Sequence, residues 1–239
     1  MYLYGKNSVL ERLLVNPKSV RKVFLQENFG ADGILDLIGR AGIPASRVTE
    51  KALRKIKNAD RLQGIVAQVD DLVYADFDNL LRSDPDKRMT FICVDSINDP
   101  HNLGSIIRIA ACFGGFAVVI PRHGSCEVTD AVMHVASGGE NFVPVAKVNN
   151  LSTALVKAKR AGYWIVGTVV ENGTDINRVS FPFPLCLVLG SEGKGIRHGI
   201  KKQLELKVRL PMKGAALSFN VAMACAIFCH EINRQKVNK

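Results

Sequence analysis

The 239-residue chain is 47% hydrophobic and carries 32 Lys and Arg against 22 Asp and Glu, a formal net charge of +10. That apolar content is enough for a sizeable core in one large domain or two smaller ones, and no apolar run reaches the roughly 20 residues needed to span a bilayer. The positive balance favours a polyanionic partner, most simply nucleic acid.

The N-terminal MYLYGKNSVLERLL has an early Glu and no apolar signal-peptide core, so no secretion signal is expected. Residues 1–72 read as a small α/β unit. SVLERLLV is a helix, VRKVFL a strand, GILDLIGRAG a second helix closed by Gly42, and RLQGIVAQV a final strand. Between them RVTEKALRKIKNADR sets Arg47, Lys51, Arg54, Lys55, Lys57 and Arg61 against Glu50 and Asp60. With few aromatics, this run suits phosphate contact or a solvated helix face. The polar stretch from Asp76 to Arg88 marks residues 73–88 as a connector between two domains.

From residue 89 to 239 strands and helices alternate. TFICVD, FAVVIP, VPVAKV, YWIVGTVV, PLCLVLG and KVRLPM read as strands. Helices follow at Asp99–Gly114, Thr129–Ser137, LSTALVKAKRAG and Ser218–Asn233. Near-continuous apolar strands separated by helices indicate a parallel sheet covered on both faces. Six cysteines (93, 112, 126, 186, 225 and 229) form no CxxC pair, and four lie in apolar segments. Free buried thiols in a reducing cytoplasm are expected, with no metal site.

Ligands of open α/β sheets bind outside the carboxyl ends of the strands, and three polar loops fall there. The first, DSINDPHNLGSIIR, uses Asn102 and Gly104 to open a helix whose free N–H groups suit an anion. Asn102 also suits a simple helix cap. Arg108 interrupts the apolar pattern, is expected to project toward the same end, and has the planar fork that phosphate recognition favours. The second loop, LGSEGKGI, places Glu192 among three glycines, either in a cleft or in solvent. It matches neither the Walker nor the GxGxxG spacing. The third, LPMKGAALSFN, leads into a helix of small residues, with Ser218 as the expected N-cap and Asn220 in the first turn.

NDPHNLGSIIRIAACFG, LVLGSEGKGI and LPMKGAALSFNVAMA resemble, in order and separation, the three motifs of the SpoU, or TrmH-like, RNA 2'-O-ribose methyltransferases. YGKNSVLERLL and LQGIVAQV resemble the L30e-like substrate-binding domain of the longer members. The resemblance implies an α/β fold of SPOUT type: an L30e-like domain, then a parallel-sheet domain with a C-terminal deep trefoil knot. That knot is an exception to the rule that chains do not thread loops. It also implies a cytoplasmic homodimer that transfers methyl from S-adenosylmethionine to a ribose 2'-hydroxyl of RNA, leaving S-adenosylhomocysteine. The nearest likeness is to enzymes acting on a guanosine of 23S rRNA. The alternatives are a tRNA substrate or a non-catalytic RNA-binding ribosome-assembly factor.

By the same resemblance Asn102, Arg108, Glu192, Ser218 and Asn220 form the catalytic set. Gly190, Leu210 and Phe219, with Thr168, Leu189 and Met212, line the cofactor. Phe219 stands where the family usually has Leu, Ala222 where it often has Ser, and Leu62 where related chains often have His. Because arginine stays protonated, Arg108 is expected to clamp phosphate and stabilise a developing alkoxide rather than act as base.

Overall fold

A computed structural model describes residues 1–82, 89–214 and 217–237. The first unit contains β1 (Tyr2–Tyr4), α1 (Lys6–Val15), β2 (Val20–Gln26), α2 (Asp32–Arg40), β3 (Ala45–Val48), α3 (Glu50–Ile56) and β4 (Ile65–Val69). Its sheet runs β1-β4-β2-β3, with β1 and β2 antiparallel to β4 and β3 parallel to β2. The basic run resolves into β3 and α3, and the Thr49 hydroxyl caps α3 by accepting from Ala52 N. Next comes α4 (Phe77–Leu81). The described part of the expected connector is packed onto the second unit. Ala75 N donates to Val145 O, and Phe77 and Leu81 pack against Phe91 and other buried residues there. Residues 83–88 of that expectation lie outside the described residues.

The second unit follows as β5 (Thr90–Asp95), α5 (Pro100–Phe113), β6 (Phe116–Pro121), α6 (Asp130–Ala136), β7 (Val145–Val148), α7 (Leu151–Arg160), β8 (Trp164–Val169), β9 (Thr174–Asp175), β10 (Leu185–Gly190), α8 (His198–Lys201), β11 (Leu206–Arg209) and α9 (Val221–Val237). Its seven strands are all parallel, in the order β7-β6-β5-β10-β8-β11-β9. Successive strand residues face opposite sides, so Ile92, Val94, Val118, Ile120, Leu187 and Leu189 join one core with α5, α6 and α9. Phe91, Cys93, Ala117, Val119, Cys186 and Val188 join the other with α4, α7 and α8. The strand order turns at β5, which has β6 on one side and β10 on the other. The crevice at such a reversal is where parallel sheets bind ligands.

Gly104 does not leave its helix open for an anion. It is buried, and a Cβ there would lie 2.6 Å from Val132 O and 2.7 Å from the Val135 side chain. The missing side chain lets α5 and α6 pack closely. The first unit in turn docks on α6 and the turn after it. Tyr4 stacks on His134 with ring centroids 4.1 Å apart, and Lys57 pairs with Asp130 at 2.6 Å. Arg12 of α1 reaches Glu140 at 3.0 Å, with side chains 7% and 0% exposed.

Removing one partner of a buried pair strands the other's charge. Glu140→Ala should therefore cost about 3–5 kcal/mol in urea unfolding, whereas Arg12→Met with Glu140→Leu should fall much closer to wild type. An unchanged midpoint for Glu140→Ala would contradict this. All six thiols are free: Cys93, Cys186, Cys225 and Cys229 are buried and Cys112 is exposed. Burial and contact with Cys93 push the Cys186 thiol well above its usual range; contact with Cys229 and burial do the same for Cys225. Iodoacetamide should label Cys112 first and the four buried thiols only on unfolding. Early labelling of Cys186 or Cys225, read by mass spectrometry, would contradict the packing.

Candidate active site

The carboxyl ends of β5 and β10 lie side by side, with Gly190 in register with Asp95. After β10 the chain makes a tight hairpin in which Ser191 and Gly195 exchange backbone hydrogen bonds at 3.2 and 2.8 Å. Gly190 tolerates no side chain, because a Cβ would lie 2.3 Å from the backbone of Gly195 and of Ile196. This close approach holds Glu192 over the strand ends, and its carboxylate faces the helix starts.

Three donors converge on Glu192 Oε1: Asn220 Nδ2 at 2.6 Å, Asn102 Nδ2 at 3.0 Å and Val221 N at 3.4 Å. Asn220 Nδ2 also donates to Asn102 Oδ1 at 2.9 Å. Asn220 Oδ1 accepts from Ala222 N at 2.9 Å and Met223 N at 3.4 Å. Asn220 is thus the cap of α9, and the expected capping by Ser218 is corrected. The helix begins at Val221, so the cap position falls two residues later than the sequence suggested. Asn102 is not a cap either. Asp99 caps α5 by accepting from His101 N, and Pro100 fills the first helical position. Both amides are left to bind Glu192, whose carboxylate lies at the positive end of α9.

A cavity of about 430 Å³ opens beside this junction, within the range of small-molecule sites. Thr168, Leu189, Gly190, Leu210, Met212 and Phe219 line it, as do Glu192 and Ser218. The Thr168 hydroxyl donates to Val188 O at 3.2 Å, which ties it to the sheet. Glu171, Asn172, Lys194 and Lys201 also line the cavity. Sequence reasoning missed these four, since each is an ordinary surface residue by type. Among the described residues no group of three or more His, Cys, Asp or Glu is placed to hold a metal ion.

Arg108 does not join the junction. Six residues along an α-helix turn about 240° and rise about 9 Å, so Asn102 and Arg108 do not project to one place as expected. Arg108 is exposed, has no ion pair among the described residues, and its backbone packs against Gly139. Two further residues escaped the sequence: Asp95 accepts from Arg197 N at 2.7 Å and Arg197 Nε at 2.6 Å. An Asp closing an otherwise apolar strand was the available signal. Among the described residues no helix is long and apolar enough to cross a membrane.

Comparisons with known proteins identify the family. Residues 89–230 match the SpoU rRNA Methylase family, and residues 2–75 match the RNA 2'-O ribose methyltransferase substrate binding family. The Bacillus subtilis protein YacO, named for the TrmH family of tRNA/rRNA methyltransferases, is 34% identical over 98% of this chain and 96% of its own. The Coxiella burnetii 23S rRNA (guanosine-2'-O-)-methyltransferase RlmB is 33% identical over 98% of this chain and 95% of its own. The solved SpoU methyltransferase AviRb from Streptomyces viridochromogenes, in complex with AdoMet, superposes with a TM-score of 0.83 at 22% identity. That match covers 100% of this chain and 91% of AviRb.

The double duty of Asn220 can be separated. Asn220→Ala should lower unfolding stability by about 1 kcal/mol through loss of the cap, while Asn220→Ser keeps a capping acceptor without setting a second carboxylate against Glu192 and should recover most of that loss. Equal denaturant midpoints for wild type and Asn220→Ala would refute the capping role.

Proposed function

The chain belongs to the SpoU rRNA methylase family, and on that premise we propose that it moves a methyl group from S-adenosylmethionine to a ribose 2'-hydroxyl of RNA, in a guanosine of 23S rRNA. One observation carries this reading: the Asn102–Glu192–Asn220 junction at the mouth of the cavity. The 23S substrate is supported by the full-length likeness to the Coxiella burnetii enzyme and by the N-terminal substrate-binding match. The deep trefoil knot and the L30e-like character of the first unit belong to the same reading, supported by family membership. Buried free thiols fit a reducing cytoplasm.

The cavity fits the cofactor's chemistry. Leu189, Leu210, Met212 and Phe219 offer apolar walls for a flat base, and Gly190 brings bare backbone to the wall. Glu171 and Asn172 add polar groups, and Glu192 adds negative charge suited to a sulfonium. When bound, the cofactor supplies an electrophilic methyl carried on sulfur. The protein must orient the hydroxyl and relieve it of a proton. Glu192 Oε1 is committed to its three donors, whereas Oε2 has no partner among the described residues. Oε2 therefore holds the hydroxyl and accepts its proton, and Asn102 and Asn220 keep the carboxylate from swinging away. Ser218, on the cavity wall, contributes a further hydroxyl.

Arg108 of one copy clamps RNA phosphate and offsets charge on the alkoxide developing at the other copy's Glu192, because within one chain it lies away from that junction. Its exposed place on another face of α5 suits a homodimer, in which a second copy lies against it. Supporting this, Met223 (62% exposed) and Ile227 lie four residues apart on α9, with Phe219 just before the helix, an apolar stripe beside the site. Holding both reactants in line supplies much of the rate.

The reading is tested by transfer of labelled methyl from S-adenosylmethionine to unmodified 23S rRNA and, separately, to tRNA. Ribose-linked label in 23S rRNA is expected, falling about 100-fold in Arg108→Ala. Label in tRNA alone would move the substrate. Cofactor and RNA binding without transfer would favour the non-catalytic assembly factor.

A further inference from the structure

Asp95 is the last residue of β5, and its side chain is fully buried, 0% exposed. Both of its oxygens accept from one residue, Oδ2 from the backbone N and Oδ1 from the Nε of Arg197, and Oδ1 also accepts from the Ser96 hydroxyl at 3.4 Å. Arg197 ends the loop that begins at Ser191 and carries Glu192. The loop is therefore fixed twice, by its own hairpin bonds and by an anchor on the strand that feeds α5. Between those fixed points sits Glu192, which shares its oxygen with Asn102 of α5.

Only the carboxylate of this pair is buried, the Arg197 side chain being 51% exposed, and such a pair is weak evidence for a gain in stability, because desolvation and solvent screening offset the attraction. Apolar packing would close a loop end as well. What a carboxylate with two directed bonds adds is geometry. We propose that the Asp95–Arg197 pair is a positioning device for methyl transfer: it sets the loop so that Glu192 Oε1 meets Asn102 and Asn220 while Oε2 stays open to the cavity. Asp95 and Arg197 act through Glu192. This role rests on the ribose methyl-transfer reading and extends it to two residues outside the catalytic set.

The test compares wild type, Arg197→Ala, Arg197→Lys, Glu192→Gln and the Arg197→Ala/Glu192→Gln double variant. At saturating RNA and cofactor, Arg197→Ala should lower kcat about 10- to 100-fold, the scale of a misplacement near 1 Å, with little change in KM for RNA. Arg197→Lys keeps a cation and one donor against Asp95 and should recover most of that loss. With Glu192→Gln already present, Arg197→Ala should cost less than about threefold, because coupled residues do not add. Losses that multiply in the double variant would overturn the role. A second readout needs neither RNA nor cofactor: backbone amides of residues 191–197 should exchange hydrogen faster in Arg197→Ala than in wild type. Unchanged exchange would overturn the lock. A wild type inactive on every RNA overturns the underlying reading, whereas an active wild type with multiplying losses overturns this role alone.

Discussion

One oxygen atom, Glu192 Oε1, joins three separate pieces of chain: its own loop, α5 and the start of α9. It accepts from Asn102 of α5, from Asn220 before α9, and from the first amide of α9. Asn102 and Asn220 are 118 positions apart in sequence. Each donor is itself constrained. Asn220 has its oxygen on the N-terminal amides of α9, so its NH2 can face only the other way. Asn102 accepts from Asn220 and donates to Glu192, so its amide is fixed too. With Oε1 and both amides held in this way, the network specifies one arrangement and leaves Oε2 open.

The fold delivers those pieces to one point. β5 and β10 are adjacent and parallel, so both chains leave the sheet at the same edge. Gly190 lets the returning loop touch the strand end, and Gly104 lets α5 sit close on α6. The first unit rests on that same α6 and the turn after it through Tyr4, Lys57 and Arg12. Gly139, beside Glu140, packs on the backbone of Arg108. The unit that matches the substrate-binding family and the helix that bears Arg108 thus share one support.

Much of this was legible in the sequence because the physics is local. Runs such as TFICVD and FAVVIP are buried throughout, as continuous apolar strands should be. Glycine-flanked Glu192 and the Asn-bearing helix starts stood out for the same reason. Other features depend on partners far along the chain. Nothing near Arg12 announces Glu140, and nothing near Asp95 announces Arg197. Helix phase also misled. A shift of two residues moved the cap of α9 from Ser218 to Asn220, and the turn of α5 carried Arg108 away from Asn102. In the stretch of 73–82, α4 hid among polar residues because it buries only Phe77 and Leu81, with Leu80 partly buried beside them.

The central claim is that the junction around Glu192 is where the methyl group is transferred. A crystal structure of the protein with S-adenosylmethionine tests it most directly. The account predicts the base against Leu210 and Phe219, with the sulfur-borne methyl directed toward Glu192 Oε2. A cofactor bound elsewhere, or one whose methyl points away from the Asn102–Glu192–Asn220 junction, would contradict it.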